Sequence, residues 1–238
     1  IVDKDKNIYV LTGLENQARL SLRHLTRILE AHGGKTINHV AQIICYVTNQ
    51  SFATTVMETW LDHVEKRFDD TNMDDQNINT EISMKSHLKS ILKIVAVPNL
   101  PKNALVEWQV VATETPVIKT NTTSETNDGE DLILSVDEKG HIFFVGATQH
   151  LNWEEKWGKE MHTVKNFLSQ NFEKLQLPTQ GHMQIFGRKF FINSAQPNNL
   201  GKISLPCNEN YIDILPCLIP VISFASENTS YVINGIIY

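Results

Sequence analysis

The chain has 238 residues, 41% apolar and 20% charged, with 21 lysines and arginines against 27 aspartates and glutamates, so its formal net charge is -6. That length suits one large domain or two of about 100 to 120 residues, each able to bury a core. The acidic balance, with no basic stripe, argues against a nucleic-acid-binding surface.

Asn7-Ile8-Tyr9-Val10-Leu11-Thr12-Gly13 is rich in β-branched and aromatic residues and ends on glycine, which predicts a strand. From Glu15 to His32, Ala18, Leu22, Leu25 and Leu29 recur at helical spacing, with Arg19, Arg23 and Glu30 set toward water; Gly33-Gly34 stops this helix. Val40 to Val47 is a short apolar run, expected as a central strand. A second helix is predicted from about Ser51 to Phe68, with Met57, Trp60, Leu61, Val64 and Phe68 on its apolar side. The polar run from Asp69 to about Glu81 reads as a solvated loop. Two strands follow, about Ile91 to Val97 and Ala104 to Ala112, joined through Pro98 and Pro101.

Residues 114–130 are nearly devoid of apolar side chains and read as a linker between a domain over 1–113 and a second over 131–238. Leu132 to Val136 and His141 to Gly146 flank Glu138-Lys139-Gly140 as a hairpin would. A helix from about Trp153 to Leu175 and a strand over Met183 to Ile192 come next, then an irregular stretch around Pro197 to Asn210. Strands over Leu218 to Phe224 and Ser230 to Tyr238 close the chain. "FFVGATQ" at 143–149 is similar to "YVLTGLE" at 9–15, and "IPVISFASENTSYVINGII" to "KIVAVPNLPKNALVEWQVV", which suggests a degenerate tandem repeat.

Cys45, Cys207 and Cys217 are an odd number without framework spacing, so they read as reduced thiols and point to the cytoplasm. No secretory pattern or membrane-length apolar run is found, so the sequons at Asn49, Asn121 and Asn228 read as chance matches. The start at Ile1, inside strand-like sequence, suggests a fragment of something longer.

The strand ending Thr12-Gly13, the helix "NQARLSLRHLTRILEAHGG", the segment "INHVAQIICYVTNQSFATTVMETWLDHVEKRF" and the run "IVAVPNLPKNALVEWQVVAT" cover nearly all of 7–113. Together they resemble the RidA/YjgF family (endoribonuclease L-PSP-like), small trimeric imine and enamine deaminases. The resemblance implies an α+β, chorismate-mutase-like fold, a mixed sheet with helices packed on one face, in two tandem copies of which the second is divergent. Such a tandem is similar to the C-terminal region of eukaryotic diphthine-ammonia ligases. In that family an N-terminal ATP-binding domain carries the amidation of diphthine on elongation factor 2, and no phosphate loop of its type occurs between Ile1 and Tyr238. ATP is thus implied only for that domain, and no cofactor or metal for this chain.

By the same resemblance, Thr12, Gly13 and Glu107 are the candidate ligand-binding residues. The family's substrate-gripping arginine lies eight residues before the leucine of Leu100-Pro101, and that position is Leu92. Neither lysine nor an apolar side chain can fill the role of a bidentate guanidinium, and Lys93 should point to the opposite face of the strand. Glu107 is therefore expected without its partner, in a module that is not catalytic by itself and serves assembly or substrate or effector binding. The alternative is an imine deaminase using Glu107. Elongation factor 2 is the implied macromolecular partner, through the whole protein; a small molecule in a domain or subunit cleft and a homo-oligomer are implied as well. Nucleic acid and membrane are not.

Other motifs lead to packing. Gly33-Gly34-Lys35-Thr36 ends a helix where a phosphate loop would begin one, with Leu29 in the place of the first glycine. The histidines, His24, His32, His39 and His63 among them, lack paired ligand spacing. Trp153 and Trp157 beside His150 read as one packed helix face, and Cys45, inside an apolar strand, as inert.

Overall fold

The computed structural model describes residues 10–33, 35–69, 78–122, 131–137, 142–148, 185–193, 217–221, 223–224 and 231–237. The chain divides into two compact units, Ile1–Glu114 and Thr115–Tyr238. The element order is α1 (Leu14–Ala31), β1 (Val40–Val47), α2 (Ala53–Asp69), α3 (Ile78–Ser90), β2 (Leu92–Ala96) and β3 (Val106–Ala112) in the first unit. The second carries β4 (Val117–Thr122), β5 (Asp131–Asp137), β6 (Ile142–Thr148), β7 (Ile185–Asn193), β8 (Cys217–Val221), the two-residue β9 (Ser223–Phe224) and β10 (Tyr231–Ile237).

In the first unit the strands lie in the order β3-β1-β2, with β1 parallel to β2 and antiparallel to β3. The sheet is mixed and helices pack on it, so the fold is α+β. Trp108 of β3 packs against Trp60 of α2 in a tilted arrangement, 6.0 Å between ring centroids, which identifies the helix-facing side. Alternation along the paired strands then puts Ile43, Cys45, Val47, Leu92, Ile94, Ala96, Val106 and Val110 on that side. Ile44, Tyr46, Lys93, Val95, Glu107 and Gln109 occupy the other.

Helix α1 follows from its apolar period: Ala18, Leu22, Thr26 and Leu29 are buried and it packs against α2 and β3. It ends where Gly33 takes φ +91°, a conformation that costs glycine nothing. Across the α1–α2 seam, Thr26 Oγ1 lies 3.2 Å from His63 Nε2. Trp60, fully buried, donates from Nε1 to the Leu88 carbonyl at 2.8 Å and so ties α2 to α3.

Three expectations change. Of the strand expected over Asn7 to Gly13, the described part, 10–13, is irregular and leads into α1. Helix α3 begins at Ile78, inside the run read as a loop through Glu81. Its own apolar content is small, and tertiary contacts hold its C-terminal half: Leu88 is buried, and Lys85 and Lys89 reach Glu65 of α2 at 3.1 and 3.0 Å. Residues 114–130, read as a linker, contain β4, which pairs antiparallel with β5. A run of threonines and β-branched residues can take a place in a ladder although its surface composition looks like a linker's.

In the second unit the order is β4-β5-β6-β10-β7-β8. β5 and β6 form the expected antiparallel pair. β7 is antiparallel to β10 and parallel to β8. The order and senses of β10-β7-β8 thus match those of β3-β1-β2. The helix expected over Trp153 to Leu175, the irregular stretch around Pro197 to Asn210, His150 and Cys207 lie outside the described residues.

Candidate functional site

Glu107 is exposed on the side of β3 away from the helices. Its register partner on β1 is Tyr46. The Tyr46 hydroxyl donates to Gln109 Oε1 at 2.6 Å, so Glu107, Gln109 and Tyr46 form one polar group on that side. Burial, and then the neighbouring Glu107 carboxylate, push the Tyr46 phenol up to about 12. Tyr46 and Gln109 have no place among the residues expected from sequence. The signal available was their parity: Gln109 lies two residues from Glu107 on one strand, and Tyr46 has the alternate parity to Cys45 in a run whose other polar residue is Gln42.

Thr12 and Gly13 are exposed, Gly13 being the N-cap of α1 at φ +86°. The structure ties them to the start of β3 through Gln17. Its Nε2 donates to the Leu11 carbonyl at 2.6 Å, and its Oε1 accepts from the Leu105 backbone N–H at 2.8 Å. The Leu105 carbonyl in turn accepts from Thr48 N–H at 3.2 Å. One glutamine on α1 therefore sets the loop carrying Thr12-Gly13 against the residue two before Glu107. The Leu-Pro turn ahead of it holds Lys102 and Asn103 at φ 59° and 55°, a left-handed pair that redirects the chain into β3.

Leu92 is 4% exposed and faces the helices, opposite Ile43. Lys93 pairs with Ile44, so it shares the side of the sheet that carries Glu107, as its parity predicted. It is 8% exposed, and its Nζ donates to the Ser90 carbonyl at 3.2 Å. In the second unit the register sets Asn234 opposite Lys189 and Gly235 opposite Arg188, with no glutamate in the equivalent place.

The remaining candidates are parts of the core. Cys45 is fully buried and burial pushes its thiol well up, which leaves it protonated and inert. Gly33 follows the last turn of α1, so the helix stops there, ahead of Lys35-Thr36. Among the described residues no group of three histidine, cysteine or acidic side chains could hold a metal ion, and no helix is long and apolar enough to cross a membrane.

No family model and no curated protein matches the chain. Among solved structures it is similar to E. coli TdcF with bound serine, at 20% identity over 45% of this chain and 69% of that one, with a TM-score of 0.33. The E. coli YjgF gene product matches at 24% identity over 44% and 68%, with a TM-score of 0.32. A Thermotoga maritima protein assigned as an endoribonuclease matches at 20% over 48% and 72%, with a TM-score of 0.35.

Proposed function

We propose that the chain is a non-catalytic RidA/YjgF-like module that serves assembly or the binding of a substrate or effector. The observation that carries this is the fate of the arginine position. Leu92 is packed into the helix-facing core, while Glu107 stands exposed on the opposite side of the sheet. General acid-base help is worth about 10²- to 10⁴-fold, but only on a bound and oriented substrate, and a core leucine cannot grip a carboxylate. The shared order and senses of β3-β1-β2 and β10-β7-β8 support a tandem of two such domains, the second divergent. The sequence resemblance then suggests the C-terminal region of a cytoplasmic diphthine-ammonia ligase, with ATP used by that protein's N-terminal domain and elongation factor 2 as its substrate. Deleting the module from the full-length protein should weaken elongation factor 2 binding; unchanged binding and unchanged assembly would overturn the proposal.

The second reading, an imine deaminase, is favoured by one observation: Glu107 is exposed, and Lys93 on the same side of the sheet offers a single ammonium, though not a bidentate grip. Ammonia release from amino-acid-derived imines decides between the two. Release that falls to background in Glu107→Ala establishes the enzyme; equal, background rates in both proteins exclude it.

A further inference from the structure

The helical layer keeps its cations in pairs, with one exception. Arg19 lies 2.9 Å from Glu15 and 2.6 Å from Asp62, Lys66 lies 2.8 Å from Asp62, and Arg67 lies 3.6 Å from Glu30. Lys85 and Lys89 share Glu65. Arg23 and Arg27 alone, of the lysines and arginines on α1, α2 and α3, have no carboxylate partner among the described residues. They stand one turn apart on the outer side of α1, where like charges at i, i+4 repel. His24, also exposed, lies beside them. So does Ile28, which at 56% is the more exposed of the two exposed large apolar side chains among the described residues, Val10 being the other at 38%.

We infer that this strip is a docking surface for an acidic segment of a partner protein, one that presents two carboxylates about 6 Å apart, one helical turn, beside an aliphatic side chain. Each arginine can take a carboxylate bidentately, which removes the repulsion left standing in the free chain, and Ile28 supplies the apolar contact that a purely electrostatic encounter lacks. Charge complementarity favours the same partner: although the chain's net charge is -6, these two arginines are the cations of the helical layer without a carboxylate partner among the described residues. A nucleic acid would need more phosphate contacts than two arginines and a histidine provide. The inference is independent of Glu107 and of the module's catalytic status.

The test uses the full chain and a fluorescein-labelled helical peptide, alanine-based, with glutamates at i and i+4 and a leucine at i+5. Fluorescence anisotropy should show saturable binding that falls at least about tenfold in Arg23→Glu/Arg27→Glu and in Arg23→Gln/Arg27→Gln. Ile28→Ser should weaken it several-fold. Far-UV circular dichroism checks that each variant keeps α1, which loses only exposed side chains. The inference is overturned by the absence of saturable binding, by equal affinity in the arginine variants, by an equal loss in the control Lys102→Glu, or by arginine-dependent binding of labelled oligouridine that is tighter than that of the peptide.

Discussion

Glu107 and Tyr46 face each other across the β1–β3 ladder, and the carboxylate helps to hold the phenol in its neutral form. Burial is the larger cause, so removing the carboxylate should shift Tyr46 only part of the way back. In an ultraviolet titration of the phenolate band, Glu107→Gln should lower the Tyr46 transition from about 12 while leaving it above 10. The sign for stability follows. The unfolded chain ionises Tyr46 from about pH 10 and the folded one only near 12, so this contribution is present below pH 10 and lost as the pH rises toward 12. A Glu107→Gln transition unchanged from the parent would separate the two side chains electrostatically.

Gln17 joins two segments that are far apart in sequence. Gln17→Leu leaves the Leu105 N–H and the Leu11 carbonyl without their partner and should cost about 1 to 3 kcal/mol in urea unfolding. Amide exchange at Leu105 should accelerate with it. Gln17→Glu keeps the acceptor for Leu105 but not the donor for Leu11, so it should fall between the two; Leu105 protection equal to the parent's in Gln17→Leu would refute the clamp.

His87 is 3% exposed, and neither ring nitrogen makes a hydrogen bond of ordinary geometry among the described residues. Burial lowers it to about 4, the Val40 backbone offsetting part of that effect. Its unfolded value is near 6.5, so as the pH falls from 6.5 toward 4 the unfolded chain takes up a proton that the folded one refuses. Stability is then lost across that window, by up to about 3 kcal/mol. Chemical denaturation at pH 7 and pH 4.5 should show a smaller difference in His87→Leu than in the parent.

Trp60 binds α3 through one hydrogen bond and packs on Trp108. Trp60→Phe keeps most of the ring and loses the bond to Leu88, at a cost of about 1 to 2 kcal/mol. Trp60→Ala should cost about 3 to 5 kcal/mol. The diagnostic readout is hydrogen exchange over α3, which should quicken in Trp60→Phe before the rest of the first unit responds.

Lys102 holds a left-handed conformation at φ 59°. Glycine there removes the steric cost, so Lys102→Gly should raise stability by up to about 1 kcal/mol in thermal or urea unfolding, and Lys102→Val should lower it.

Strands and helices whose side chains follow a clean period were legible in the sequence. Val40 to Val47 was bounded to the residue, and the alternation that puts Lys93 on the side opposite Leu92 held in the ladder. Helix α3 was not legible, because what secures it lies elsewhere: the Leu88 carbonyl is claimed by Trp60, and Lys85 and Lys89 by Glu65. β4 was hidden for a similar reason, its place being set by β5. At the site, Glu107 could be read from a local motif, whereas Gln17 could not: its two partners lie on either side of it in the chain, at Leu11 and Leu105, and a side-chain bridge of that span leaves no periodic trace.

The grip on Leu105 makes the Pro101–Leu105 turn a counting device. Side chains alternate along β3, so a single residue inserted or deleted between Pro101 and Leu105, with Leu105 still held by Gln17 and Thr48, leaves the strand untouched. The same change one step later, between Leu105 and Glu107, turns the carboxylate into the helix-packed core and Trp108 out of it. A change of length between Leu105 and Glu107 therefore inverts the faces of β3, whereas one between Pro101 and Leu105 falls on the turn alone.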